Sequence, residues 1–281
     1  MSKPKVALEN YKKVYDYYEK RRQNPGAARR RHTVLAKLFK PTIHTLNPDL
    51  DQQIMELRKR GAQFVIAGNH VSDVDPVIMA SLTRHYPPLA HLEGNTFIPS
   101  KSVLFKHRVL RWLIDDLGAT PQFRTKDVGR NGEPLPSKIK QLRNAARERS
   151  FSIARNKLEK YHQNMGIYPE GERNGEERDR ISKIGFGLGE MICNLDPSME
   201  IAIIPIGVHY GNERKRRLGS IPLLRTVERV WHEHDPDVTI GNIILGPFQQ
   251  PADFEPLLQA GMQETLDHSI EQRAMRFAEA A

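Results

Sequence analysis

The chain has one cysteine, Cys193, among its 281 residues. A single thiol excludes an internal disulfide and a cysteine-rich metal centre, and its apolar neighbours Met191 and Ile192 predict a buried, inert group. Long hydrophobic runs are scarce too. The longest stretch without a charged residue, Val238 to Ala252, is broken by Pro247 and Pro251. A spanning helix needs about 18 or more apolar residues, so none is expected. The first residues, Met-Ser-Lys-Pro-Lys-Val-Ala-Leu-Glu, lack the apolar centre of a secretory signal. The expected location is therefore cytoplasmic, with the protein peripheral on a membrane for the reason given next.

Acidic residues are scarce in residues 1–40, which hold 12 Lys and Arg against Glu9, Asp16 and Glu19. The remaining residues carry 31 bases and 31 acids, so the net charge of +9 belongs wholly to the N-terminal segment. Val6, Leu8, Tyr11, Val14, Tyr15 and Tyr18 recur at helical spacing and predict an amphipathic helix over Val6–Arg22. After the Asn24-Pro25-Gly26 break and the Arg29-Arg30-Arg31 run, a second apolar stretch covers Val34–Phe39. A basic, aromatic-rich helix suits an anionic membrane surface, where each cation contributes about 1 kcal/mol. The competing reading is that the stripe packs on the chain's own core. Nucleic-acid contact ranks below both, since no zinc-finger or RNA-recognition signature is present.

From about Gln63 the pattern alternates strand and helix. Phe64–Ala67, Ala119–Phe123, Gly166–Tyr168, Ile201–Val208 and Val238–Leu245 read as strands. Asp75–Arg84, Val103–Leu117, Ser137–His162, Ile184–Leu195 and Phe254–Ala280 read as helices. This predicts a layered α/β domain over 59–281, with a central mixed sheet flanked by helices, preceded by a basic helical segment over 1–58.

Three pairs place a histidine five positions before an aspartate: His44 with Asp49, His70 with Asp75, and His232 with Asp237. Chance supplies about 0.5 such pairs at this composition, so spacing alone decides nothing. His44 and Asp49 flank Asn47-Pro48 and read as a surface connector. His232 and His234 could share a strand face as metal ligands but lack an obvious third, and a solvated turn is the preferred reading. His70 alone follows a buried strand and precedes a helix, where α/β folds hold ligands. There a carboxylate can orient the imidazole so that its other nitrogen takes a proton from a hydroxyl. A metal held by His70, Asp73 and Asp75 is a weaker alternative.

Further blocks follow in order: Gly118–Arg124, then Tyr168-Pro169-Glu170-Gly171-Glu172-Arg173-Asn174-Gly175, then Ile203-Ile204-Pro205-Ile206-Gly207-Val208. Glycine permits close backbone approach to a ligand, and arginine offers a forked donor set for phosphate. Pro205 within an apolar strand predicts an edge or a bulge.

With His70 and Asp75, this series over roughly residues 60–212 resembles the glycerolipid acyltransferase family, to which 1-acylglycerol-3-phosphate acyltransferases belong. Asn69, His70, Ser72 and Asp75 match the family's Asn-His-x-Ser-x-x-Asp block. Arg124 falls in its second block. Pro169, Glu170, Gly171 and Arg173 match the third, usually Phe-Pro-Glu-Gly-Thr-Arg-Ser, while Tyr168, Glu172 and Asn174 depart from it. Lys183 with Gly185, and Pro205, resemble later elements.

The resemblance implies an O-acyltransferase with His70 as general base and Asp75 orienting it. Arg124, Glu170, Gly171 and Arg173 would form the acceptor-phosphate site, with Asn69, Ser72, Lys183 and Pro205 supporting, and Lys101 a further possible anion contact. The donor would be a thioester of coenzyme A or acyl carrier protein, and the acceptor a lysolipid such as lysophosphatidic acid. No metal, resident cofactor or covalent enzyme intermediate is implied. Backbone amides near the Glu170-Gly171 turn are the expected oxyanion donors. The alternatives are acylation of glycerol 3-phosphate or another lysolipid by the same chemistry and, more distantly, a non-catalytic membrane-binding protein.

Overall fold

The computed structural model describes residues 3–124, 136–171, 178–211 and 235–279, apart from the side chain of Phe186. After a 3-10 turn at Leu8–Asn10, the chain runs through α1 (Tyr11–Lys20), α2 (Pro25–Leu38), β1 (Thr42–Thr45), α3 (Leu50–Arg60), β2 (Gln63–Gly68) and α4 (Asp75–His85). It continues through β3 (Thr96–Lys101), α5 (Arg108–Asp116), β4 (Ala119–Gln122), α6 (Ser137–Glu159) and β5 (Asn164–Ile167). The last elements are α7 (Phe186–Cys193), β6 (Ile201–His209), β7 (Asp237–Ile240), β8 (Ile244–Leu245) and α8 (Pro251–Glu279). Further 3-10 turns cover Pro87–Leu92 and Ser102–Lys106.

Two compact units result, each assembled from two stretches: residues 1–31 with 94–166, and residues 32–93 with 167–281. Charge and pattern alone place their boundary at residue 58. In the larger unit β2 runs parallel to β6, β6 antiparallel to β7 and β8, and β7 parallel to β1. This is a mixed sheet with helices packed on it, the α/β class expected. Every residue of β2 and β6 is buried, which is why both read as unbroken apolar runs rather than alternating ones. Helix α8 lies against β6 and β7 so closely that a Cβ at Gly207 would fall 2.4 Å from the carbonyl carbon of Thr265. Only glycine fits there.

Pro205 corrects the expectation of an edge strand or bulge. Strand β6 is central, with Pro205 opposite Ala67 of β2. Its carbonyl accepts from the amide of Gly241 at 2.9 Å, on the side where pairing passes from β8 to β7. A residue's N–H points to the same side as its carbonyl, so the missing donor falls at a gap in the ladder and costs no bond.

The smaller unit holds a parallel sheet in the order β4-β3-β5. Its core revises the expectation for the N-terminal stripe. Val6, Leu8, Val14, Tyr15 and Tyr18 are all buried, packed with Phe105, Ala119, Phe123, Ala146 and Ile153. The apolar face of α1 is thus spent inside the unit and is not free to enter a membrane. The Asn24-Pro25-Gly26 break proves to be the start of α2: Asn24 accepts from the Ala27 amide at 3.0 Å and Pro25 takes the first helical position.

Strands β1 and β3 lie in segments where the sequence pattern predicts none. The expected helix over Val103–Leu117 is a 3-10 turn followed by the shorter α5. Cys193 is half-buried rather than fully buried. Among the described residues, no helix is long and apolar enough to cross a membrane.

Candidate active site

Strands β2 and β6 are parallel, so their C-terminal ends lie at the same end of the larger unit's sheet, where such folds bind ligands. Asn69 extends their pairing by one side chain: its amide donates to the carbonyl of Val208 at 3.0 Å and its oxygen accepts from the Val208 amide at 2.8 Å. That pins the turn carrying His70.

Asp75 opens α4 with no exposed surface, and donors surround its carboxylate. Oδ2 accepts from His70 Nδ1 at 2.9 Å and from the backbone amides of Val71 at 2.8 Å and Ser72 at 2.7 Å. Oδ1 accepts from the Tyr210 hydroxyl at 2.6 Å. Four donors replace the water that burial removes. With Nδ1–H committed to Asp75, the lone pair of the neutral ring lies on Nε2. The His70 side chain keeps 11% of its surface, enough to meet a substrate from one side.

The ring of Tyr168 lies beside the imidazole, with centroids 4.6 Å apart and planes tilted by 30°. Its hydroxyl is buried with no hydrogen-bond partner among the described residues. Burial, and secondarily the charge of Asp75, push both the Tyr168 and Tyr210 hydroxyls well above the usual phenol range. Tyr210 therefore remains a donor to Asp75 at any working pH.

Glu170, one of the residues expected around the acceptor phosphate, is held by protein donors. Its Oε1 accepts from the His70 amide at 2.9 Å, and its Oε2 accepts from the amide and hydroxyl of Ser182 at 2.8 and 2.6 Å. Both oxygens thus serve to fix the backbone under the histidine.

The turn from Tyr168 closes with the Gly171 amide on the Tyr168 carbonyl at 3.0 Å, and Gly171 takes a left-handed φ of 70°. That amide is engaged within the turn.

Ser72 is buried, its hydroxyl accepting weakly from the Val74 amide at 3.4 Å. Lys183 is exposed. Arg124 and Lys101 are half-buried in the smaller unit, and Arg173, His232 and His234 lie outside the described residues.

Of the described members of the other two pairs, Asp49 lies exposed on the turn before α3 as expected, whereas Asp237 is buried on β7 rather than in a solvated turn. His44 is not on a surface connector but on β1, with Nε2 3.2 Å from Asp237 of β7. Asp73 is exposed while Asp75 is fully buried, and no three His, Cys, Asp or Glu side chains converge as metal ligands would among the described residues.

Two members of the site, Tyr210 and Ser182, escape the sequence reading. Tyr210 lies just beyond the apolar run of β6, and only the β2–β6 register reveals that it faces Asp75.

In comparison with curated proteins, none matches this chain. A family model described as Acyltransferase matches residues 50–209, more than half of the sequence, and takes in His70, Asp75, Glu170 and Ser182 but stops one residue short of Tyr210. The chain belongs to that family, the glycerolipid acyltransferases.

Proposed function

We propose that this protein moves a fatty acyl group from a thioester, acyl-CoA or acyl carrier protein, to the free hydroxyl of 1-acylglycerol 3-phosphate, forming phosphatidic acid. The observation that carries this reading is the His70–Asp75 contact at 2.9 Å, with a carboxylate held by three further donors and an imidazole left partly open.

His70 Nε2 takes the hydroxyl proton as the oxygen attacks the thioester carbonyl. The carbonyl electrons move onto its oxygen, and the tetrahedral intermediate collapses by breaking the C–S bond. The thiolate leaves with the proton returned by His70. Asp75 holds the ring in the needed tautomer and steadies its charged form. General-base help of this kind supplies about 100- to 10,000-fold.

Glu170 and Asn69 position the histidine from behind. The acceptor phosphate falls to Arg124 and Arg173, through their places in the family's motifs, with Gly171 shaping the turn; Lys101 and Lys183 are secondary candidates. The reaction belongs to phospholipid synthesis and takes place with the protein peripheral on an anionic membrane. The cations of residues 1–40 contribute to that attraction by charge alone, since the α1 stripe is buried.

Purified protein supplied with acyl-CoA, and in parallel with acyl carrier protein thioester, tests this against a panel of lysolipids and glycerol 3-phosphate. Free thiol and lipid product are followed together. Thiol release coupled to phosphatidic acid is expected with lysophosphatidic acid. A preference for glycerol 3-phosphate would move the assignment to the neighbouring acceptor, and no transfer to any acceptor would overturn it.

A further inference from the structure

Helix α5 is turned inside out. Its charged residues Arg111 and Asp115 are buried, with relative exposures of 9% and 1%, while Val109 and Trp112 keep 79% and 60% of their surface in solvent. A helix on the surface of a water-soluble unit normally has the reverse arrangement. The inward side is held by specific bonds. Arg111 Nη1 donates to the Pro4 carbonyl at 2.7 Å and Nε donates to the Tyr18 hydroxyl at 3.2 Å. Tyr18 in turn donates to Asp115 Oδ1 at 2.8 Å. The helix cannot roll to hide its apolar face without breaking that set.

The outward face also has a charge. Lys106, His107 and Arg108 lead into it, and all three are exposed. On the other side, the Arg31 guanidinium lies 3.7 Å from the centre of the Trp112 ring and is itself held by Asp116 through bonds of 3.0 and 2.5 Å. The indole is thus clamped on one face, with most of its surface outward and cations around it. Indoles of this kind, apolar in body and flanked by cations, favour the headgroup boundary of a bilayer.

We propose that the outward face of α5 docks on an anionic lipid surface, with Val109 and Trp112 entering the boundary and Lys106 and Arg108 meeting lipid phosphates. A second copy of the chain is the poorer occupant, because pairing α5 with itself would bring the Lys106 and Arg108 sets together. The proposal is independent of the reaction assigned above.

The sequence has two tryptophans, Trp112 and Trp231, so full-length protein carrying Trp231→Phe reports on Trp112 alone. Its emission should shift to the blue on vesicles of phosphatidylcholine mixed with phosphatidylglycerol, and much less on phosphatidylcholine alone. In co-sedimentation of otherwise native protein, Val109→Ser with Trp112→Ser should weaken binding to the mixed vesicles about tenfold or more. Lys106→Gln with Arg108→Gln should weaken it by roughly fivefold per cation on the mixed vesicles and much less on phosphatidylcholine alone, so that the preference for anionic lipid falls.

Acyl transfer to a short-chain acceptor dissolved below its micellar concentration should be unchanged in both variants, which shows that they are folded. No spectral shift, or equal vesicle binding by the serine variant, would overturn the proposal. So would a dimer that this variant dissociates, which would give the face to a second copy, or a partition that depends only on an added acidic protein. Wild-type protein that binds vesicles yet transfers no acyl group would sink the assigned reaction and leave the docking face standing.

Discussion

Asp75 and Asp237 are both completely buried in the larger unit, and each meets an imidazole, His70 at 2.9 Å and His44 at 3.2 Å. What else feeds the carboxylate separates them. Asp75 receives two backbone amides and a phenol, all neutral, so the histidine is its only partner able to gain a charge. Asp237 receives Arg273 at 3.0 Å and Arg276 at 2.8 Å, and two guanidinium groups already balance it. A proton arriving on His70 would find an uncompensated carboxylate to steady it, and one arriving on His44 would find a carboxylate already paired. The first arrangement suits a base; the second clasps β1 and β7 to the C-terminal part of α8.

Replacement of each residue would break or sharpen the contrast, and the largest effect is expected at His70. His70→Ala should reduce acyl transfer by about 100- to 10,000-fold with little change in thermal midpoint, because Asp75 keeps three donors. Full turnover in the variant would remove the assigned base. Asp75→Asn should cost activity on a similar scale, since an amide presents a donor where the ring needs an acceptor and spoils the tautomer. Asp237→Asn should do the opposite: turnover per folded molecule unchanged, and stability lower by about 1.5 to 3 kcal/mol in denaturant unfolding, as two partly buried guanidinium groups lose their charged acceptor. Equal effects of the two Asn variants on turnover would show that the carboxylates are not distinct in kind.

The motif residues of this contrast are legible in the sequence, and their partners are not. The spacing of His70 and Asp75 on a strand-to-helix turn is local, and the turn geometry delivers the contact. The same spacing misleads at His44 and Asp49: His44 finds Asp237, 193 positions away, because β1 pairs with β7. Long-range pairing of short strands leaves almost no periodic signal, and β1 and β3 pass unrecognised for that reason. The two fully buried strands, β2 and β6, announce themselves as apolar runs. The α1 stripe is equally visible, but periodicity records only that a face is apolar and not what covers it. Arg111 and Asp115 of α5 carry no warning that they point inward.

A third buried charge, in the smaller unit, sharpens the comparison by having no carboxylate bonded to it among the described residues. Lys157 is 3% exposed and donates to Gln163 Oε1 at 3.0 Å and, at 3.5 Å, to the carbonyl of Arg21. Burial first, then the nearby charges of Arg22 and Arg21, push its ammonium down to about 7 from an ordinary value of 10.5. Folding therefore favours the neutral amine, and the unfolded chain binds more protons between those two values. Stability should rise with pH from about 7 towards 10, by at most about 1.4 kcal/mol per pH unit. It should level off below 7, where both states are protonated. Chemical denaturation across that range measures the slope, and Lys157→Met should flatten it. A slope that persists in the variant would assign the titration to another group.

The smallest expected change is at Tyr210, and it tests whether neutral donors matter to Asp75 at all. Tyr210→Phe keeps the ring and deletes only the hydroxyl that donates to Oδ1 at 2.6 Å. One hydrogen bond to a charged group is worth about 1.5 to 3 kcal/mol to stability. Only the part that changes as His70 takes up a proton reaches the rate, so a fall in turnover of about fivefold is expected. If Tyr210 positions Asp75 for catalysis, the loss falls on kcat with KM nearly unchanged, and Asp75→Asn combined with Tyr210→Phe is no slower than Asp75→Asn alone. If the hydroxyl merely fills a buried space, the double variant loses the full fivefold again. The neutral shell around Asp75 would then be packing, as the cationic shell around Asp237 is a clasp.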